Sequence, residues 1–145
     1  MITDQILHTM PYGPGFLFVD QFIQVDDQGI TGHYTYPSSA SYFQDHFPGN
    51  PIVPGAIMIE TMAQIGLVGF GIYLTKAYQT KQQMDFVFTS SEVEFVAKII
   101  PETKIEVTSF KLFFRLGKLK CDIEMREAHS GKRICYGKLA GMIVS

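Results

Sequence analysis

Residues 46–77 read HFPGNPIVPGAIMIETMAQIGLVGFGIYLTKA, and this stretch decides the architecture. Its first part is a loop, because Pro48, Gly49, Pro51, Pro54 and Gly55 break any long regular element. From Ala56 to about Ala77 the pattern turns helical: Glu60 and Gln64 fall four apart on one face while Ile57, Met58, Met62, Leu67 and Val68 cover the others. A helix apolar nearly all round belongs inside something. The apolar stretch from Gly55 to Leu74 is long enough to cross a bilayer. Against a membrane span stand the Glu60 carboxylate within it, Pro54 at its entrance, the glycines 66, 69 and 71, and the lack of any basic residue before Lys76. A buried central helix is the expectation.

The elements around that helix read as strands. Phe16 to Val25 is rich in Phe, Val and Ile, and the turn Asp26-Asp27-Gln28-Gly29 leads into a second strand from Ile30 to Tyr36, which predicts a hairpin. Phe86 to Val96 reads as another strand. Further on, Ile105 and Val107 occupy odd positions but Phe110, Leu112 and Phe114 even ones, so a bulge near Thr108 and Ser109 is predicted. Leu119, Cys121, Ile123 and Met125 alternate with Lys120, Asp122, Glu124 and Arg126, the period of a half-buried antiparallel strand. His129 to Lys132 turns the chain back into a last strand, Arg133 to Val144. The tally is α+β: about six antiparallel strands and one long helix in a single domain, residues 1–145, with the sheet curling round the helix because no other element covers it.

Composition sets the outer bounds. The chain has 145 residues, 46% hydrophobic and 18% charged, which excludes a disordered chain and argues for one domain over two. Twelve Phe and seven Tyr, with a mean hydropathy of +0.11, point to more apolar surface than one subunit covers. The net charge is −2, but every Lys and Arg lies from Lys76 onward, while Asp4, Asp20, Asp26, Asp27, Asp45 and Glu60 occupy the first half. That distribution speaks against a nucleic-acid binder and leaves the second half open to an acidic partner. Cys121 and Cys135 fit free buried thiols rather than a disulfide framework. The N-terminal residues show no basic and apolar leader, so cytoplasmic residence is expected.

Three features with chemical potential coincide between residues 46 and 64. His46 is an imidazole on a rigid loop, the side chain suited to proton transfer near neutral pH. Glu60 is a carboxylate on an apolar helix, where desolvation favours the protonated form. Pro54 and Gly55 open that helix, so unpaired N–H groups point outward from the positive end of its dipole. A base, an acid and an oxyanion donor are the parts needed to remove a proton beside a carbonyl and expel a hydroxyl. From spacing alone, a structural loop histidine and a paired helix glutamate are the commoner reading.

The string itself resembles the beta-hydroxyacyl-acyl carrier protein dehydratases of the FabZ type, which carry an H-F-P-G-x-P-x-x-P-G loop leading into a helix with E-x-M-A-Q; residues 46–64 match it throughout. Phe16-Leu17-Phe18-Val19-Asp20 is similar to the family's F-L-L-V-D strand, and Val93-Glu94-Phe95 to its V-E-F strand. The resemblance implies a hot-dog fold, a long helix wrapped by an antiparallel sheet, with two subunits pairing edge to edge and sharing active sites, and a possible trimer of such dimers. It implies that His46 is the general base and Glu60 the acid that protonates the departing 3-hydroxyl. It also implies that Gly55 N–H polarises the thioester carbonyl. Gln64 either holds the Glu60 carboxylate or stands on the helix surface as a plain amide. The implied substrate is a 3-hydroxyacyl group on the phosphopantetheine of acyl carrier protein, converted to a trans-2-enoyl thioester without metal or nucleotide cofactor. Carrier proteins are acidic, so the basic residues of the strand region, among them Lys98, Lys104, Lys111, Arg115, Lys118, Lys120 and Lys138, are the expected dock.

Departures from the family pattern mark a divergent member. Asp45 stands where Gly often precedes the histidine, placing a second carboxylate beside the imidazole or simply a solvated loop acid. The early L-P-H-R-x-P-F segment is replaced by Met10-Pro11-Tyr12-Gly13-Pro14-Gly15-Phe16, and the late P-G-D turn by Pro101-Glu102-Thr103. Phe70, Phe86, Phe88, Phe95, Met58, Met62 and Met84 are candidates for lining an acyl tunnel or for plain core packing. His8, His33 and His129 lack a second ligand at metal spacing. The rival functions are a hot-dog thioesterase, a non-catalytic acyl-binding subunit, and an isomerising dehydratase, a branch that carries Asp where this chain has Glu60.

Overall fold

The structure is a computed structural model, and it describes residues 1–80 and 84–144. A short N-terminal helix, Ile2–Thr9, precedes the first strands. Six strands follow: β1 (Gln21–Val25), β2 (Gly29–Thr35), β3 (Asp85–Phe95), β4 (Lys104–Arg115), β5 (Lys118–Glu127) and β6 (Arg133–Val144). They form one antiparallel sheet in the order β1-β2-β4-β5-β6-β3. The central helix, Gly55–Leu74, lies in the concave side of that sheet and is largely buried, so its apolarity is that of a core helix. This is the hot-dog arrangement expected from the resemblance.

Burial explains the curl. Ile105 and Val107 of β4, Leu119, Cys121, Ile123 and Met125 of β5 and Leu139 of β6 point inward and are buried with Met62, Ile65, Leu67 and Phe70 of the helix in one core. Each of the larger aliphatic and aromatic side chains contributes about 1.5–3 kcal/mol by leaving water, which favours a sheet that wraps its inner face round the helix. Where helix and sheet press closest, side chains shrink. A Cβ on Gly66 would lie 2.5 Å from Cδ1 of Ile123, one on Gly69 2.5 Å from the Phe22 ring, and Ser109 Oγ donates to the Gly66 carbonyl at 3.0 Å. In that region, Gln64–Gly69, the helix widens to π-helical geometry.

Three sequence expectations need correction. Leu17 to Asp20 do not join the first strand: a 3-10 turn, Pro14–Phe16, precedes them, and Phe18 N–H bonds a helix side chain instead of a neighbouring strand. The bulge in β4 falls between Lys111 and Phe113, not near Thr108 and Ser109. Ser109 keeps the inward phase of Ile105 and Val107 because its hydroxyl caps the Gly66 carbonyl, and Phe110 and Leu112 are left facing outward and exposed. The helix stops at Leu74 rather than Ala77, since Lys76 adopts a left-handed φ of 60° and starts a separate short helix, Ala77–Thr80.

Candidate active site

The His46 loop is held shut by its own backbone. Asp45 N–H and His46 N–H both donate to the Tyr42 carbonyl, Ile52 N–H donates to the His46 carbonyl at 2.9 Å, and Phe47 and Asn50 exchange a pair of bonds across Gly49, whose φ of 75° suits glycine. The imidazole closes the same ring: Nδ1 lies 3.1 Å from the Ile52 carbonyl, an acceptor, so Nδ1 carries the proton and Nε2 keeps a lone pair free. The ring stacks on Phe47 with centroids 4.3 Å apart. Asp45 is exposed and shares no hydrogen bond or ion pair with the imidazole.

The loop runs into the helix through Val53, whose N–H bonds the Ile99 carbonyl, and Pro54, whose carbonyl accepts from Ile57 and Met58 N–H. Gly55 N–H, one residue inside, has no acceptor among the described residues. The Phe95 ring rests on it, with Cζ 3.3 Å from where a Cβ would stand. A side chain here would displace that ring; glycine leaves the donor open at the positive end of the helix.

Glu60 is half-buried at the edge of a cavity of about 240 Å³ lined by Tyr12, Phe16, Leu67, Phe86 and Phe88 among others. Burial pushes its carboxyl above the ordinary value of 4.5, and a hydrogen bond from Gln64 opposes that rise. Gln64 is itself fully buried, not on the helix surface. Its Nε2 donates to Glu60 Oε2 at 2.9 Å and to the Phe16 carbonyl at 2.9 Å, and its Oε1 accepts Phe18 N–H at 2.8 Å. One amide thus fixes the carboxylate and anchors the loop that forms the cavity's other wall.

Glu60 and His46 share no hydrogen bond or ion pair, and His46 does not line the Glu60 cavity. Within one chain the structure therefore brings Glu60 and Gln64 together and leaves His46 apart. Sequence reasoning missed Tyr12 and Phe16 as cavity residues. Tyr12 keeps its phenol proton, because burial and the neighbouring Glu60 charge both push its pKa up. Of the tunnel candidates, Phe86 and Phe88 reach the cavity, whereas Phe70, Met58 and Met62 are core. His33 is paired across the sheet with Glu106 at 2.7 Å.

Comparison with known proteins places this geometry. Residues 10–135 match the FabA-like domain family. The 3-hydroxyacyl-[acyl-carrier-protein] dehydratase FabZ of Pelotomaculum thermopropionicum is 32% identical over 120 residues, 81% of this chain and 83% of the relative. That of Caldicellulosiruptor bescii is 32% identical over 139 residues, 94% of each chain. Among solved structures, the dehydratase heterocomplex ApeI:P of Xenorhabdus doucetiae superposes with a TM-score of 0.81 at 16% identity, covering 97% of this chain and 91% of that one. A mutant thioesterase of Pseudomonas aeruginosa gives 0.67 at 15%, covering 98% and 93%. At such identities the two structures show the fold alone. The chain belongs to the FabA-like family, and within it is a divergent dehydratase of the FabZ type.

Proposed function

We propose that this enzyme dehydrates 3-hydroxyacyl thioesters carried on the phosphopantetheine of acyl carrier protein, in acyl-chain biosynthesis in the cytoplasm. The observation that carries the reading is a carboxyl whose pKa burial raises, at the wall of an apolar cavity and on the same helix as an open N–H donor. His46 Nε2 takes a proton from C2 of the substrate. The electron pair forms the C2–C3 double bond, the C3–O bond breaks, and the leaving hydroxyl takes the Glu60 proton and departs as water. Gly55 N–H stabilises charge on the thioester oxygen while C2 gives up its proton, a type of donor typically worth about 2.7–4 kcal/mol of barrier. Gln64 positions Glu60. The enzyme is left with an imidazolium and a carboxylate, and proton transfer resets both; acid and base come from side chains, and no metal takes part.

Because Glu60 and His46 are separated within one chain, we assign each site a His46 from one subunit and a Glu60 from another. The edge strand β3 supports this pairing: among the described residues its 11 residues pair with β6 alone, and Val87, Phe88 and Phe95 stand exposed along it. Each subunit, residues 1–145, acts as one unit in that dimer, and dimers joining in threes are compatible with the exposed Phe110 and Leu112 on the outer sheet face.

The test is purified protein with a 3-hydroxyacyl carrier thioester. Wild type yields enoyl product, and His46→Ala and Glu60→Gln each lower kcat about 100- to 10,000-fold. Release of free acid would instead identify a thioesterase, and two fully active variants would remove the site assignment.

A further inference from the structure

Resting on the proposed function, the acyl chain would lie in the Glu60 cavity. The cavity follows successive turns of the central helix, from Glu60 through Ala63 to Leu67 and Val68. The next residue on that face, Gly71, does not reach it, because the Phe86 ring stands between. A Cβ built on Gly71 would lie 2.7 Å from Cε2 of that ring, and one on Gly141 of β6 would overlap its other edge, at Cε1 and Cδ1. Neither glycine has a positive φ, so its own backbone conformation does not demand glycine; a Cβ on Gly141 would also stand 3.2 Å from the Val87 carbonyl oxygen. Glycine is otherwise unfavourable inside helices and strands. What the two positions have in common is the ring lodged between them.

We propose that Phe86, seated in the slot made by Gly71 and Gly141, is the stop that limits acyl-chain length. Longer chains meet the ring. Each methylene of misfit in an apolar pocket is worth roughly 10- to 200-fold in discrimination, so the limit is sharp.

The experiment measures kcat/KM for 3-hydroxyacyl carrier thioesters of roughly four to sixteen carbons, together with calorimetric binding of saturated acyl-pantetheine thioesters of the same lengths. Wild type should fall off with increasing length within this range in both. Phe86→Ala should raise the long-to-short ratio at least about tenfold, and Gly71→Ala, which drives the ring into the cavity, should lower it. The second variant reads the stop even if the first folds poorly. A wild type that takes the longest chains as well as the short ones, or a ratio unchanged in both variants, overturns the stop. Chain-length-limited binding that shifts in the variants without any dehydration would sustain the stop and overturn the proposed reaction instead.

Discussion

Glu60 and Gln64 show how one helix turn sets the proton inventory of the site. Burial raises the Glu60 pKa and the Gln64 amide lowers it, so removing the amide should move ionisation to higher pH. If Glu60 acts as the acid, activity declines on the alkaline side as it ionises, and Gln64→Leu should shift that limb upward in a pH profile of kcat. The same variant strands the Phe18 N–H and the Phe16 carbonyl, each at about 1–3 kcal/mol, so a lower Tm should accompany the shift. Stability has its own sign. The folded protein holds the Glu60 proton to a higher pH than the unfolded chain does, so the stabilisation is full below 4.5 and is lost as pH rises through the raised value. Denaturant melts of wild type against Glu60→Gln across this range should show that slope vanish in the variant. The pair was legible because residues four apart on a helix meet. Tyr12 was not: it sits in a Pro and Gly loop without periodicity, where only the folded chain shows a phenol against Glu60.

At the scale of elements, two strands explain why alternation alone misplaces a register. In β5 inside and outside alternate without interruption, and the strand lies where its sequence places it. In β4 the apolar residues change parity, which reads as a bulge at the change of parity. The chain instead keeps Ser109 inward, because a small hydroxyl facing Gly66 lets the π-helical stretch of the helix approach, and it bulges only beyond Lys111. A polar residue buried for a backbone carbonyl has no signature in hydropathy. Glycine 137 carries the corresponding close approach between β6 and β3: a Cβ there would overlap the Glu92 carbonyl and stand 2.8 Å from Val93 Cα. Those atoms are backbone and cannot rotate away, so Gly137→Ala should cost about 1–3 kcal/mol by forcing β3 off β6. Lower Tm and weaker self-association in sedimentation would follow together, since β3 is the proposed dimer edge; a lower Tm with undiminished association would separate the two roles.

For the whole molecule, the uneven charge and the proposed sharing of the site lead to separate tests. Arg126 and Arg133 are both committed to Glu124, at 2.6 and 2.8 Å, which removes them from the free basic residues of the strand region. Lys98 is exposed and adjoins Ile99, whose carbonyl holds Val53 at the mouth of the helix, so it is a candidate contact for the proposed acidic carrier. Lys98→Glu should raise KM for carrier-bound substrate, with little change in kcat or in KM for a pantetheine thioester. The proposed division of the site makes the stronger demand. The proposed two-fold dimer has two sites, each of which would take His46 from one subunit and Glu60 from the other. Mix the His46→Ala and Glu60→Gln proteins, and each hybrid dimer joins both defects in one site and restores the other completely. Random exchange makes half of the dimers hybrid, so the mixture should recover about a quarter of the wild-type activity. The recovery should appear at the rate of subunit exchange, followed by mass spectrometry of tagged chains. Complete exchange without recovery would place both groups in one chain and require the His46 loop to move toward the Glu60 cavity, a motion its closed hydrogen-bonded ring opposes.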